Sequence, residues 1–138
     1  CFTTVEPMAI SLRLALVRSG PAGLAVRADR ARLRQVLLNL LTNALKFTAR
    51  GAVTVRASQE SEWVLIEVVD TGIGIDADKL ETVFHHFYQV RSGNTRSIDG
   101  AGLGLPVTRQ LMALMGGSVG AKSVTGIGSI FSLRIPTC

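Results

Sequence analysis

The sequence predicts an α/β protein, a two-layer sandwich in which a mixed, mostly antiparallel sheet carries helices on one face. Three observations lead there. Residues 30–47 place Leu33, Val36, Leu37, Leu40, Leu41 and Ala44 at helical spacing on one face. Two pairs of short apolar runs, 53–57 with 63–69 and 118–123 with 129–135, read as antiparallel hairpins. A further helical stretch, 103–115, is entered from glycines. At 138 residues with 47% hydrophobic side chains, the chain fits one domain, 1–138, with its own core.

Taken in order, residues 10–17 alternate apolar and polar side chains and predict a first strand. Gly20, Pro21 and Gly23 mark a turn over 18–23, and 24–28 predict a returning strand. Asp29 is placed to cap the long helix, which ends before Gly51. The polar segment 58–62 joins the first hairpin. Asp70-Thr-Gly-Ile-Gly-Ile75 then ends its second strand in a glycine turn, and 77–84 predict a short helix. Residues 89–102 carry glycines, serines and charges without periodicity, a length that in a small domain usually marks a functional loop. Pro106 is tolerable in the first turn of the next helix, and Gly116-Gly117 stops it. Residues 125–128 turn the closing hairpin. There is no internal repeat.

The net charge of +5 suits an anionic ligand, but the fifteen basic residues are scattered, so no nucleic-acid partner is expected. Cys1 and Cys138 stand at opposite ends, where they build no disulfide framework, and a reduced, cytoplasmic setting is expected. No apolar run approaches the ~20 residues of a membrane span. The opening at Cys1, without an initiator Met, points to a piece of a longer protein whose anchor, if any, lies elsewhere.

Several groups carry candidate chemistry. At about 100° per residue, Asn39, Asn43 and Lys46 fall within roughly 60° of one another, beside the apolar face. Two amide oxygens one turn apart can ligate a hard cation such as Mg²⁺, and the lysine can meet a phosphate; a solvated helix face is the plain alternative. Asp70 stands where an apolar strand meets a glycine turn, and in a dry pocket its carboxylate would accept from an amine and reject a carbonyl, as when adenine is chosen over guanine. Its alternatives are a turn-capping aspartate or an acid-protease triplet. Gly100-Ala-Gly-Leu-Gly-Leu105 leads into a helix whose free N–H groups can hold an anion, although it is neither a Walker A loop nor a dinucleotide fingerprint. His85 and His86 sit between Phe84 and Phe87 with no further zinc ligands, and Ser129 has no histidine in sequence to act as its base.

Together and in this order, these segments resemble the ATP-binding catalytic domain of sensor histidine kinases, within the superfamily that includes DNA gyrase, mismatch-repair and heat-shock chaperone ATPases. Residues 32–48 resemble the N box, 70–74 the first glycine box, 83–89 the F box, 100–105 the second glycine box and 125–131 the closing one. The match runs from Asp29 to Pro136. It implies the Bergerat-type ATP-binding fold. It further implies that Asn39 and Asn43 hold Mg²⁺ against the triphosphate, that Lys46 touches phosphate, and that Phe47 borders the base. Asp70 would read the adenine amine, with Gly72, Gly74 and Ser129 shaping that pocket. Residues 84–102 would be the ATP lid, with Arg91 and Arg96 as phosphate contacts, and Gly102, Leu103, Gly104 and Leu105 the phosphate-facing helix start. The implied cofactors are ATP and Mg²⁺.

The chain departs from the family twice. Asn39 stands where the ATP-hydrolysing relatives carry a glutamate general base, and an amide cannot activate water. The segment 1–28, read as strands, leaves little more than residues 5–8 for a helix ahead of the first strand. Nothing here serves as the family's phosphoacceptor histidine, so no catalytic nucleophile is assigned. The implied partners are a histidine-bearing dimerisation domain of the same parent kinase and, downstream, a response-regulator receiver domain, with the isolated domain monomeric. The implied function is protein-histidine kinase chemistry in two-component signalling; the alternatives are an ATP-hydrolysing conformational switch and an inactive nucleotide-sensing module.

Overall fold

The computed structural model describes residues 2–76, Leu80 and 101–137. All of the helix expected at 77–84 except Leu80, the histidines 85 and 86, Arg91, Arg96 and most of the expected lid lie outside these residues, as do both cysteines. In chain order the elements are α1 (Phe2–Ser11), β1 (Ala15–Ser19), α2 (Arg30–Phe47), β2 (Ala52–Glu60), β3 (Trp63–Asp70), α3 (Ala101–Leu114), β4 (Ser118–Val124) and β5 (Gly128–Pro136). The strands form one sheet in the order β1-β2-β3-β5-β4. Only β1 and β2 run parallel; the other three pairings are antiparallel. This is the expected mixed, mostly antiparallel sheet with helices packed on it.

Helix α2 forms as its sequence dictates. Asp29 caps it, its carboxylate accepting from the Arg32 amide at 3.0 Å. Val36, Leu40, Leu41, Ala44 and Leu45 are buried against the sheet and α3, with Val53 and Val68 of β2 and β3 and Leu133 and Ile135 of β5 in the same core. At the far end Thr48 turns its hydroxyl back to the Ala44 carbonyl at 2.7 Å.

The N-terminal expectation needs correction. Residues 10–17 are not a strand: α1 is a full helix through Ser11, and the strand begins only at Ala15. The alternation at Ile10, Leu12, Leu14 and Leu16 misled, since Ile10 and Leu12 are exposed while Val5, Ala9 and Leu14 are buried. Arg13 takes a left-handed φ of 57°, and the amides of Arg13 and Leu14 donate to the carbonyls of Ile10 and Ala9. That is a Schellman end, with Ala9 and Leu14 both buried in the core. The helix before the first strand is therefore not reduced to 5–8, even with Pro7 inside it. Arg34 of α2 ties it down through the Thr4 hydroxyl at 3.0 Å.

The returning strand expected at 24–28 shrinks to one bridge, Val26 with Thr137, beside an Arg27 amide bonded to the Pro136 carbonyl. In the first hairpin the polar residues 58–60 continue β2, because Ser58, Gln59 and Glu60 still pair with Leu65, Val64 and Trp63. Helix α3 begins at Ala101, so Pro106 lies in its second turn and not its first. Its end is as expected: Gly116, at φ 75°, starts a second Schellman motif, with Gly117 donating to Met112.

Candidate functional site

The sheet registers produce the site. On the helix-covered face, the antiparallel rows are apolar one after another: Ile66 beside Leu133 and Val119, then Val68 beside Phe131 and Ala121. Two residues further along the strands the row becomes Asp70 beside Ser129 and Ser123. Side chains paired across strands share a face, so an apolar core ends in a polar row spanning β3, β5 and β4. Asp70 and Ser129 are 7% and 6% exposed, buried like the valines before them.

A carboxylate so placed must be justified. Asp70 Oδ1 accepts from the Gly72 amide at 2.9 Å, and the Ser129 backbone amide supports the same carboxylate. Burial nonetheless dominates and holds its pKa above the ordinary carboxylate value of 3.8, the two amides pulling it back down. Below pH 3.8 the group is protonated folded or unfolded and contributes nothing. Above 3.8 the unfolded chain gives up this proton while the native state keeps it, so stability falls as pH rises until the raised folded pKa is passed. Urea midpoints of wild type and Asp70→Asn should therefore separate as pH is raised from 3 towards neutrality, with wild type becoming relatively the weaker.

The Asp-Thr-Gly turn is clamped from two sides. The Ile73 amide donates to the Phe47 carbonyl at 3.2 Å, the Thr71 hydroxyl donates to the Arg50 carbonyl at 2.9 Å and accepts from the Ala52 amide at 3.2 Å. Gly72 lies so close to the end of α2 that a β-carbon there would strike the Phe47 carbonyl oxygen. From the other side, the Gly126 amide donates to the Ile73 carbonyl at 2.8 Å, and a β-carbon on Gly74 would strike the Val124 carbonyl oxygen. The end of α2, the turn and the β4–β5 hairpin thus form one hydrogen-bonded unit around Asp70.

Phe47, Asp70, Gly72, Gly74 and Ser129 are brought together by these contacts. Asn43 is buried, Asn39 half-buried and Lys46 exposed on the stripe that leads back along α2 from Phe47. Gly102, Leu103 and Gly104 lie in the first turn of α3, which packs against α2, and Leu105 is buried. Arg96 lies outside the described residues. Thr71 and Ser123 escaped the sequence reading. The five-residue span from Val124 to Gly128 sets the register that places Ser123 beside Ser129, and that was the available signal.

Among the described residues no three His, Cys, Asp or Glu side chains gather to hold a metal ion, and no helix is long and apolar enough to cross a membrane. The opposite sheet face carries an Arg56–Glu67 ion pair at 3.2 Å and the Arg134 guanidinium 5.0 Å over the Trp63 ring, both directed away from the site.

Comparison with known proteins agrees with this architecture. The chain is 42% identical over 116 residues to hybrid signal transduction histidine kinase B of Dictyostelium discoideum, covering 80% of this chain and 6% of that protein. It is 40% identical over 112 residues to the sensor histidine kinase RcsC of Escherichia coli, covering 81% of this chain and 12% of the relative. It therefore spans a small part of the curated relatives it matches. The crystal structure of full-length ShkA in complex with AMPPNP superposes with a TM-score of 0.86 at 35% identity, over 99% of this chain and 28% of that one. The nucleotide-free catalytic domain of histidine kinase ThkA gives 0.84 at 25% identity, over 99% and 87% of the two chains. Residues 28–138 match the family described as histidine kinase-, DNA gyrase B- and HSP90-like ATPase, and the chain belongs to that family.

Proposed function

We propose that this domain, a single unit over 1–138, binds ATP with Mg²⁺ and presents the γ-phosphate to a histidine on a separate dimerisation domain of the same parent kinase, in two-component signalling with a receiver domain downstream. The observation that carries the reading is the polar row at the end of the sheet. A buried carboxylate beside a hydroxyl, at a glycine turn held against the end of α2 at Phe47, has the chemistry to receive a flat base bearing an amine. Asp70 accepts from the 6-amino group; Gly72, Gly74 and Ser129 shape the pocket. The triphosphate runs along α2, past Lys46, towards the first turn of α3, where Gly102, Leu103, Gly104 and Leu105 face it and Arg96 reaches it from the lid over 84–102. The AMPPNP complex of the similar ShkA supports the choice of ATP.

The donor chemistry of Asn39 and Asn43 fits Mg²⁺, which prefers oxygen ligands; with neutral amides the site is weak until the nucleotide adds its own oxygens. A bound Mg²⁺ would offset the charge of the phosphates. Phosphoryl transfer depends chiefly on positioning and electrostatics, so the chain's own work is to hold base and phosphates in line with the acceptor. Asn39 cannot serve as a general base, which favours transfer over hydrolysis. The test fuses the domain behind a histidine-bearing helical hairpin and supplies γ-labelled ATP. Acid-labile label on the hairpin histidine is the expected result; steady phosphate release with no label on histidine would overturn the reading in favour of a hydrolase.

A further inference from the structure

Ser123 makes three hydrogen bonds with one hydroxyl. It accepts from the Ile75 amide at 2.7 Å, lies 2.9 Å from the Gly128 carbonyl and 2.8 Å from the Ser129 hydroxyl. A hydroxyl has one proton and two lone pairs, which decides the directions. The Ile75 amide only donates and the Gly128 carbonyl only accepts. The Ser123 proton is therefore committed to Gly128, one lone pair to Ile75, and the remaining bond is donated by Ser129. The proton of Ser129 is thereby directed along the row, away from Asp70, leaving its lone pairs beside the carboxylate. Of these two hydroxyls, neither has a proton left for a ligand.

We propose that Ser123 is a positioning residue for base selection: by taking the proton of Ser129 it keeps the pocket floor free of hydroxyl donors, so that a base edge bearing an amine is accepted and one bearing a carbonyl is not. The proposal rests on the adenine-pocket reading above and adds to it a residue outside the pocket wall. Without Ser123, the Ser129 hydroxyl is free to rotate. It can then donate to Asp70, using up an acceptor, or to the 6-oxo group of a guanine base.

The readout is the ratio of ATP to GTP affinity, measured calorimetrically with Mg²⁺ on the domain. Ser123→Ala should lower that ratio about tenfold, the equivalent of one hydrogen bond. Ser123→Thr, which keeps the hydroxyl, should retain it, and Ser123→Val, of the same shape without the hydroxyl, should lose it. In a Ser129→Ala background, Ser123→Ala should change the ratio no further, because there is no proton left to direct. If the single variants weaken both nucleotides equally, or if Ser123→Ala lowers the ratio as much in the Ser129→Ala background, Ser123 is merely a strut and the proposal fails. Should the alanine and valine variants not fold, Ser123→Cys carries the test, its weak thiol holding the Ser129 proton less firmly and lowering the ratio by less than tenfold; an unchanged ratio overturns the proposal. Failure of the adenine reading looks different: wild type itself would then show no preference for ATP over GTP.

Discussion

Asp70→Asn should weaken ATP binding about a hundredfold while leaving the domain folded, the largest functional effect expected of a single substitution here. The amide matches the carboxylate in size, and its oxygen can still accept the Gly72 amide that Asp70 accepts at 2.9 Å. Its nitrogen must then face the pocket. An adenine amine meets a donor instead of an acceptor, so the bond is lost and two buried donors are left unsatisfied, each costing about 1–3 kcal/mol. A guanine 6-oxo group meets a match, and the preference for ATP over GTP should collapse with the affinity. Stability should move the other way. Burial raises the Asp70 pKa, so the ionised carboxylate is a cost to the empty fold at neutral pH that the neutral amide does not carry. Calorimetry with both nucleotides and urea unfolding of the empty domain read the two effects separately. An Asn variant that bound ATP as wild type does would remove Asp70 from base reading.

That opposition of binding and stability also explains which features the sequence disclosed. Helix α2 was legible because cap, periodicity and end all agree: Asp29, the buried Leu40–Leu41–Ala44 stripe and the turn at Thr48 serve one element. Asp70 was legible for the contrary reason, a charged side chain closing the apolar strand Trp63–Asp70. What stayed hidden depends on partners distant in sequence. Nothing local in residues 10–17 reveals that Ala9 and Leu14 are buried and Leu12 is not; that follows from α1 packing on α2 and β1. The strand expected at 24–28 is only the bridge of Val26 to Thr137, a partner at the far end of the sequence that no local pattern announces. Ser123 is an ordinary serine in a short alternating strand until the β4–β5 register sets it beside Ser129. Thr71 becomes a clamp only when Arg50 and Ala52, twenty-one and nineteen residues earlier where the chain passes from α2 into β2, return to meet it.

Gly128→Ala should destabilise the domain by about 3–5 kcal/mol, whereas Gly126→Ala, two residues away in the same turn, should cost about 1 kcal/mol. Both glycines have positive φ, 148° and 82°, so a methyl group brings conformational strain at each. They differ in what the methyl meets. At Gly126 there is nothing within 4 Å; at Gly128 the new carbon is driven into the backbone carbonyl oxygen of Asp70, with the Thr71 Cα 3.1 Å away. Backbone atoms in a paired ladder cannot swing aside as a side-chain tip can. Relief requires β5 to part from β3 at the Asp70–Ser129 pair, the pair that forms the polar row. The loss in stability and the loss in nucleotide affinity therefore have one cause, and Gly128→Ala should bind ATP weakly even at temperatures where it is fully folded. Urea unfolding of the two variants, with ATP titrations well below their melting temperatures, checks both halves. Equal destabilisation of the two would mean that the turn is strained by φ alone, and that the close approach of Gly128 to Asp70 plays no part in holding the carboxylate in place.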